Sequence, residues 1–126
     1  MPFDRPSFIE LARSLHGQAG SATNAEAWLR SALGRAYYGA FCYARNYARD
    51  WLKFEPRNDP EDHGRLRAHL KGKRRKGDAD RLERLRQWRN DSDYLDELTF
   101  DLQVVVPAAL DEATKVIASL VPPKSS

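Results

Sequence analysis

The sequence has few of the residues that usually build chemical sites in small proteins. Its 126 residues include one cysteine, three histidines and one methionine. The lone Cys42 cannot form an internal disulfide, which fits a reducing cytoplasm. No spacing of cysteines, histidines or carboxylates matches a metal site, and neither a glycine-rich phosphate loop nor a serine–histidine pair is recognisable. We therefore expect no metal and no cofactor.

Long apolar runs are also missing. No stretch approaches the roughly 18 apolar residues that a membrane-spanning helix needs. The first ten residues, MPFDRPSFIE, lack the basic and then apolar pattern of an export signal. We expect a cytoplasmic protein that does not enter a membrane. The length suits one hydrophobic core, so we predict a single domain over residues 1–126.

Positive charge is in slight excess and unevenly placed. The formal net charge is +3 and the sequence pI is about 9.2. Residues 71–76, KGKRRK, hold five positive charges in six positions. Such a cluster can neutralise phosphates of a nucleic acid. The alternative is a solvated loop between helices, which is a common setting for a charge run.

Apolar residues recur at helical spacing along most of the chain, without the alternation typical of strands. The pattern predicts an all-α protein, an up-and-down bundle of four main helices and one short helix. We predict helices over residues 5–18, 24–54, 62–71, 78–98 and 101–121. The spacing places Tyr37, Phe41 and Trp51 in the core rather than on a surface that stacks bases. Pro107, inside the last helix, predicts a kink or a break.

Several residues have the chemistry of helix starts. Pro6 suits the first position of a helix, where its missing N–H costs nothing. Side chains that accept a hydrogen bond from the first turn cap helices well. On this basis we predict one cap from each of three pairs, namely Thr23 or Asn24, Asp78 or Asp80, and Thr99 or Asp101.

The helix predicted over residues 78–98 carries an apolar stripe that turns polar halfway along. Leu82 and Leu85 share a face with Arg89, Ser92 and Asp96, since each residue advances the helix by 100°. A guanidinium, a hydroxyl and a carboxylate thus continue an apolar line.

Three interpretations of this polar stretch remain open. It can form a buried polar network with Arg35 and Tyr38 of the second helix. It can line a cleft that binds a phosphate or a nucleotide, with Asp93 one turn after Arg89 to orient the guanidinium. The third interpretation, the active site of a ribonuclease, is implied only by a resemblance to a known family.

Three segments, in this order, resemble HEPN domains, which are small helical bundles widespread in prokaryotes. SALGRAYYGAFCYAR, residues 31–45, is similar to the second helix of that family. EDHGRLRAHL, residues 61–70, resembles the segment in which His-Gly precedes a short helix. LERLRQWRNDSDY, residues 82–94, resembles a Leu-x-x-x-Arg-x-x-Ala-Asp-Tyr segment, with Ser92 where alanine is usual. The resemblance covers about residues 8–120.

The resemblance implies cleavage of RNA through its own 2′-hydroxyl, without a metal. The family's ribonucleases use an arginine, usually a polar residue next, and a histidine after four to six intervening residues. Arg89 and Asn90 match the first two positions, but Tyr94 stands where the histidine is expected and no histidine follows His69. Candidate catalytic residues are Arg89, Asn90, Asp93 and Tyr94. Tyrosine and aspartate are weak bases near neutral pH, with reference pKa values near 10 and 3.9.

The resemblance also suggests binding residues and partners. Candidate residues for RNA or nucleotide are Arg35, Tyr38, Arg45, His63, Lys73, Arg74, Arg75 and Lys76. His63 resembles the family's loop histidine, which implies that it faces the cleft. A histidine at a helix start, however, more often caps the helix or lies on the surface.

The function implied by the resemblance is an RNA-directed component of a toxin–antitoxin or defence module, with a degenerate ribonuclease motif. We expect a homodimer, with a nucleotidyltransferase as a candidate antitoxin partner. The alternative is a non-catalytic HEPN module that binds a nucleotide or the nucleotidyltransferase. The missing histidine favours this alternative, whereas the KGKRRK loop and the arginines of the second helix favour RNA.

Overall fold

The computed structural model describes residues 7–19 and 25–123, except for the side chains of residues 18 and 19. These residues form five α-helices and no strand, which confirms the all-α prediction. The helices are α1 (Ser7–Ala19), α2 (Ala25–Trp51), α3 (Asp62–Gly72), α4 (Lys76–Tyr94) and α5 (Leu102–Ser119). The predicted positions at Pro6, Thr23 and Asn24 lie outside the described residues.

Helix α2 is the centre of the bundle and packs against α1, α4 and α5. One face of α2 forms a buried apolar stripe that contains both small and large side chains. Its residues are Leu29, Leu33, Ala36, Tyr37, Ala40, Phe41, Ala44 and Ala48. Gly39 lets α1 approach closely, because a Cβ there would lie 2.9 Å from the Cβ of Phe8. The stripe therefore forms the main part of a single core.

Helices α3 and α4 form an antiparallel hairpin through a turn of three residues, 73–75. The turn closes with a hydrogen bond from the Arg75 N–H to the Leu70 carbonyl at 2.8 Å, and Arg74 takes a positive φ of 63°. Arg67 of α3 pairs with Glu83 of α4 at 2.8 Å. The hairpin thus places the start of α3 beside the second half of α4.

Helix α4 begins two residues earlier than predicted. Asp78 and Asp80 do not start it, since the helix already includes Lys76. Asp78 is instead buried in the first turn, where its carboxylate accepts a hydrogen bond from Ser119 Oγ at 2.8 Å. The carboxylate therefore joins α4 to the end of α5.

Helix α2 ends at Trp51, three residues before the predicted end. The chain leaves the helix because Lys53 adopts a positive φ of 59°, and the Phe54 N–H turns back to the Ala48 carbonyl at 3.1 Å. This turn buries Phe54 and leaves Trp51 49% exposed. The prediction that Trp51 lies in the core is wrong, whereas Tyr37 and Phe41 are buried as predicted.

Helix α4 ends at Tyr94, four residues before the predicted end. Arg30 of α2 reaches across and donates to the carbonyls of Ser92 at 2.5 Å, Leu95 at 2.8 Å and Asp96 at 3.1 Å. The last carbonyls of a helix lack partners within the helix, and this guanidinium supplies one for Ser92 while it also holds the two residues that follow the helix. Residues 95–101 therefore follow as an irregular connection to α5.

Helix α5 begins as predicted, with the Asp101 side chain accepting from the Gln103 N–H at 2.9 Å. It continues through Pro107 to Ser119, so the predicted break does not occur. Its buried residues recur at helical spacing and close the core against α2 and α4. None of the described helices is both long enough and apolar enough to cross a membrane.

Candidate nucleic-acid interface

A cleft of about 640 Å³ opens between α2, the start of α3 and the second half of α4. We call it the cleft throughout. Six of the predicted site residues line it, namely Tyr38, Arg45, His63, Arg89, Asn90 and Tyr94. The remaining lining residues are Phe41, Asn58, Asp59, Pro60, Asp62 and Arg86. Residues from three segments that the sequence analysis treated separately therefore meet at one surface.

His63 lies in the cleft rather than on the open surface. Its imidazole stacks on the buried ring of Phe41, with the centroids 3.9 Å apart and the planes at 15°. Its Nδ1 atom is hydrogen-bonded to the Tyr37 hydroxyl. The preference for a helix cap or surface group was wrong, because two aromatic residues of α2 hold this ring against the core.

The proton positions on this pair follow from burial. Burial raises the pKa of Tyr37 well above the ordinary value of a phenol, so its hydroxyl keeps its proton and donates to His63 Nδ1. Burial, and then the charges of Arg89 and Arg67, lower the pKa of His63 to about 4. The imidazole is therefore neutral at pH 7, with its proton on Nε2.

This tautomer decides what His63 can do in the cleft. The nitrogen with the free electron pair is occupied by Tyr37, and its low pKa makes it a weak base. The Nε2–H group can donate a hydrogen bond to an anion. His63 is thus suited to binding a phosphate oxygen and poorly suited to taking a proton from a 2′-hydroxyl.

Three arginines give the cleft its positive charge. Among the described residues Arg45 has no carboxylate partner; its Nε bonds Asn46 Oδ1 at 3.3 Å and its guanidinium lies 5.7 Å from the Phe41 ring centroid. Arg86 is held by Glu83 at 2.9 Å. Arg89 bonds Asp93 through Nε, which leaves its terminal nitrogens for a two-point contact with a phosphate.

The interpretation of Arg89 as part of a buried polar network is wrong. Its side chain is 37% exposed and that of Asp93 is 40% exposed, although the two are paired at 3.0 Å. Arg35 and Asp96 are exposed as well, and Asp96 lies beyond the end of the helix. Only Ser92 of this stretch is buried, and its hydroxyl donates to the Arg89 carbonyl at 3.0 Å.

A second pocket of about 500 Å³ adjoins the cleft and shares Tyr38 and Arg89 with it. Arg35 and Asp93 line this side pocket, so Arg89 and Asp93 face Arg35 and Tyr38 across a groove. The Arg35 guanidinium lies 5.9 Å from the Phe8 ring centroid. The catalytic candidates are thereby divided, with Asp93 in the side pocket and Arg89, Asn90 and Tyr94 in the cleft.

A buried carboxylate shapes the rim of the cleft. Asp62 is 2% exposed and accepts hydrogen bonds from the Arg57 N–H at 3.0 Å and the Asn58 N–H at 2.8 Å. It also pairs with Arg65. These bonds fold the loop that precedes α3 and so fix His63, the second residue of that helix.

The basic loop lies away from the cleft. Lys73, Arg74, Arg75 and Lys76 are at the turn of the α3–α4 hairpin, whereas the cleft is at its open end. At 1.5 Å per helical residue the two are separated by about 20 Å along α4. The structure therefore divides the predicted binding residues into a cleft group (Tyr38, Arg45 and His63), a loop group (residues 73–76) and Arg35, which lines the side pocket.

Two members of the loop group have structural partners. Arg75 donates to the Tyr47 hydroxyl and to the Ser119 carbonyl, each at 3.4 Å. Lys76 pairs with Asp80 at 2.9 Å. Lys73 and Arg74 are exposed, and no ion pair joins them to another described residue.

Six residues that line the cleft were not predicted as site residues, namely Phe41, Asn58, Asp59, Pro60, Asp62 and Arg86. Arg86 precedes Arg89 by three positions, and this spacing on a helix could have indicated it. Phe41 was assigned to the core, and it is both buried and the floor of the cleft. The loop residues carried no signal, because a contact between a loop and a distant helix has no local pattern.

None of the described residues form a group of histidines, cysteines and carboxylates arranged to hold a metal ion. Comparisons of the chain with protein families, with curated proteins and with solved structures find no match.

Proposed function

We propose that this chain is an HEPN-like module that binds RNA by its phosphates in the cleft. The observation that carries the proposal is the meeting of Arg45, Arg86 and Arg89 around a histidine that is neutral and offers an N–H donor. Guanidinium groups suit two-point contacts with phosphate, and a partly enclosed site strengthens them. The resemblance of three segments to HEPN domains supports RNA as the source of the phosphates in this proposal.

The geometry favours binding over cleavage. The histidine that lines the cleft, His63, has its basic nitrogen bonded to Tyr37, and Tyr94 is 80% exposed at the rim. Asp93 faces the side pocket and is paired with Arg89. We therefore infer an RNA-directed component of a toxin–antitoxin or defence module that acts by binding. An adjacent nucleotidyltransferase gene would support this setting.

Fluorescence anisotropy with a labelled single-stranded RNA tests the proposal. Arg45→Ala and Arg89→Ala should each weaken binding about tenfold or more and lower the slope of log K against log salt by about one. Arg84→Ala is the matched control, because Arg84 is similarly exposed but pairs with Glu112 on the other side of α4. Equal effects of all three changes would reject the cleft as the binding site.

The second candidate function is metal-independent cleavage of RNA, favoured by the presence of Tyr94 in the same cleft as Arg89 and Asn90. Tyr94→Phe should leave any activity of the natural chain unchanged if Tyr94 takes no part in it. Tyr94→His supplies an imidazole with an ordinary pKa and should raise cleavage of single-stranded RNA in the presence of a chelator. Cleavage by the natural chain that Tyr94→Phe abolishes would replace the binding proposal with this one.

The non-catalytic alternative is that the cleft binds a nucleotide. A competition experiment, in which a mononucleotide displaces bound RNA, distinguishes it from RNA binding. A mononucleotide offers one phosphate group to the cleft, whereas RNA offers several in a row. If a mononucleotide displaces RNA at a concentration close to its own dissociation constant and binds as tightly as the RNA, the cleft is a nucleotide site and the RNA proposal fails.

A further inference from the structure

The cleft and the basic loop lie at the two ends of one exposed edge. This edge is formed by the adjoining flanks of α3 and α4, which carry His63, Arg67 and Lys71 on α3 and Lys76, Asp80, Glu83, Gln87 and Asn90 on α4. In each helix these positions are separated by three or four residues and therefore follow one line. From Lys76 to Asn90 the edge is about 20 Å long at 1.5 Å per residue.

We propose that one RNA strand continues from the cleft along this edge to the basic loop, so that the two groups form a single binding site. The inference rests on the proposed function, and it adds Arg67 and Lys71 to the surface that contacts RNA. It also sets a minimum ligand length. About six phosphates cover 20 Å at a spacing of about 3.4 Å along a stacked strand.

The charges on the edge support a continuous path for phosphates. The cations of the edge are Arg67, Lys71 and Lys76, with Arg86 at its cleft end and Lys73 and Arg74 at its loop end, against the two carboxylates of Asp80 and Glu83. Both carboxylates are already paired, Asp80 with Lys76 at 2.9 Å and Glu83 with Arg67 at 2.8 Å and Arg86 at 2.9 Å. Hydrogen bonds from these cations hold the pKa of each carboxyl below its usual value.

The fields of neighbouring charges overlap along the whole edge. Arg67 and Arg86 act on the pKa of His63 in the cleft, and they also act on Glu83 at the middle of the edge. Lys71 and Lys76 act on Asp80 near the loop. Among the described residues of this edge, the two carboxylates between the cleft and the loop, those of Asp80 and Glu83, are both paired with cations. A polyanion bound at one end lies in an attractive potential up to the other end.

Arg75 does not belong to this surface. It lies over the Tyr47 ring, with its guanidinium carbon 5.9 Å from the centroid, and bonds the Tyr47 hydroxyl and the Ser119 carbonyl. Changing it would disturb the junction of α2, α4 and α5. The loop is therefore tested through Lys71, Lys73 and Arg74, which are exposed and make no described side-chain ion pair.

The experiment compares oligouridines of about 3 and about 12 nucleotides, shorter and longer than the edge. The variant is Lys71→Ala/Lys73→Ala/Arg74→Ala. The control is Arg13→Ala/Arg49→Ala/Lys115→Ala, which removes three exposed cations from α1, α2 and α5. The variant should lose about tenfold or more in affinity for the longer RNA and lower its salt slope by about two to three. Its affinity for the shorter RNA should match that of the control.

The outcomes separate this inference from the proposed function. If the natural chain binds the longer RNA through Arg45 and Arg89 but the loop variant binds it like the control, the single-site inference is overturned and the cleft remains an RNA site. If the loop variant loses equal affinity for the shorter and the longer RNA, the inference is also overturned, because the loop would then contribute without an RNA that spans the edge. If the natural chain binds neither RNA, the proposed function fails first.

Discussion

His63 illustrates how a single side chain acquires a role from its neighbours. The ring rests on Phe41, bonds Tyr37 and lies within the field of four arginines, Arg45, Arg67, Arg86 and Arg89. These surroundings disfavour the protonated form, because they remove water and add positive charge. The residue thereby becomes a neutral N–H donor at neutral pH, and it takes up a proton only near pH 4.

The protonation of His63 is directly measurable. Its pKa should be about 4, compared with 6.5 for the ordinary residue, and NMR of the ring nitrogens at pH 7 should find the proton on Nε2. Tyr37→Phe keeps the ring and removes the donor to Nδ1, so it should shift the population towards the Nδ1–H tautomer. A proton on Nδ1 in the natural chain at pH 7 would contradict the assignment.

The same pKa makes stability depend on pH with a known sign. Because the folded pKa is lower than the unfolded one, the unfolded chain binds more protons between about pH 4 and 6.5. The free energy of unfolding should therefore fall as the pH is lowered from about 6.5 towards 4. His63→Gln should lose this dependence between about pH 5 and 6.5, a range above that in which Asp80 and Glu83 titrate.

Arg89 shows why the apolar stripe of α4 turns polar halfway along. Leu82 and Leu85 are buried against the core, but one turn later the helix borders the cleft. There the guanidinium carbon of Arg89 lies over the Tyr37 ring, 5.6 Å from its centroid. Its pair with Asp93 is partly exposed, and pairs of this kind contribute about 0–1 kcal/mol to stability. Helical periodicity correctly located the point at which the stripe turns polar. Whether Arg89 belongs to a buried polar network or to a binding site depends on how exposed its side chain is, and periodicity does not report exposure.

At the scale of helices, the sequence predicts that a helix forms more reliably than it predicts the residues at which the helix begins and ends. All five helices occur where apolar periodicity indicates them, because burial of one face follows directly from that spacing. Asp101, one of the two residues predicted as a cap of α5, could be found because its partner, the Gln103 N–H, is only two residues away. The ends of α2 and α4 were missed because they depend on the positive φ of Lys53 and on Arg30, whose partners are more than 60 residues distant.

The end of α4 offers a test of that distant cap. Arg30→Lys keeps the charge but removes the planar group that reaches three carbonyls, and it should lower the free energy of unfolding by about 1–3 kcal/mol. Hydrogen exchange at the Leu95 amide, which bonds the Asp91 carbonyl, should accelerate. Arg84→Lys is the control, because its ion pair with Glu112 survives the change. If urea unfolding shows that Arg30→Lys and Arg84→Lys lose equal free energy of unfolding, the hydrogen bonds from Arg30 to the three carbonyls add no specific stability.

At the scale of the molecule, the surface beside the cleft carries apolar groups. Tyr94 and Leu95, within the stretch 89–96, and Tyr38, which lines the cleft beside Arg89, are exposed large side chains. We propose a symmetric homodimer with this stretch close to the two-fold axis, so that two clefts face one another. A two-fold interface uses the same patch on both copies, so one substitution alters it twice.

If the dimer forms in this way, a charge introduced near the two-fold axis should dissociate it, whereas the same charge introduced elsewhere on the surface should not. Leu95→Glu places two carboxylates close together at the proposed axis and should convert the dimer into a monomer, as measured by light scattering at micromolar concentration. Val121→Glu is the control, because Val121 is also exposed but follows α5 at the end of the molecule where Ser119 meets Asp78. Both side chains are outside the core, so neither change should reduce helix content. A natural chain that scatters as a monomer, or two variants that dissociate alike, would place the interface elsewhere or remove it.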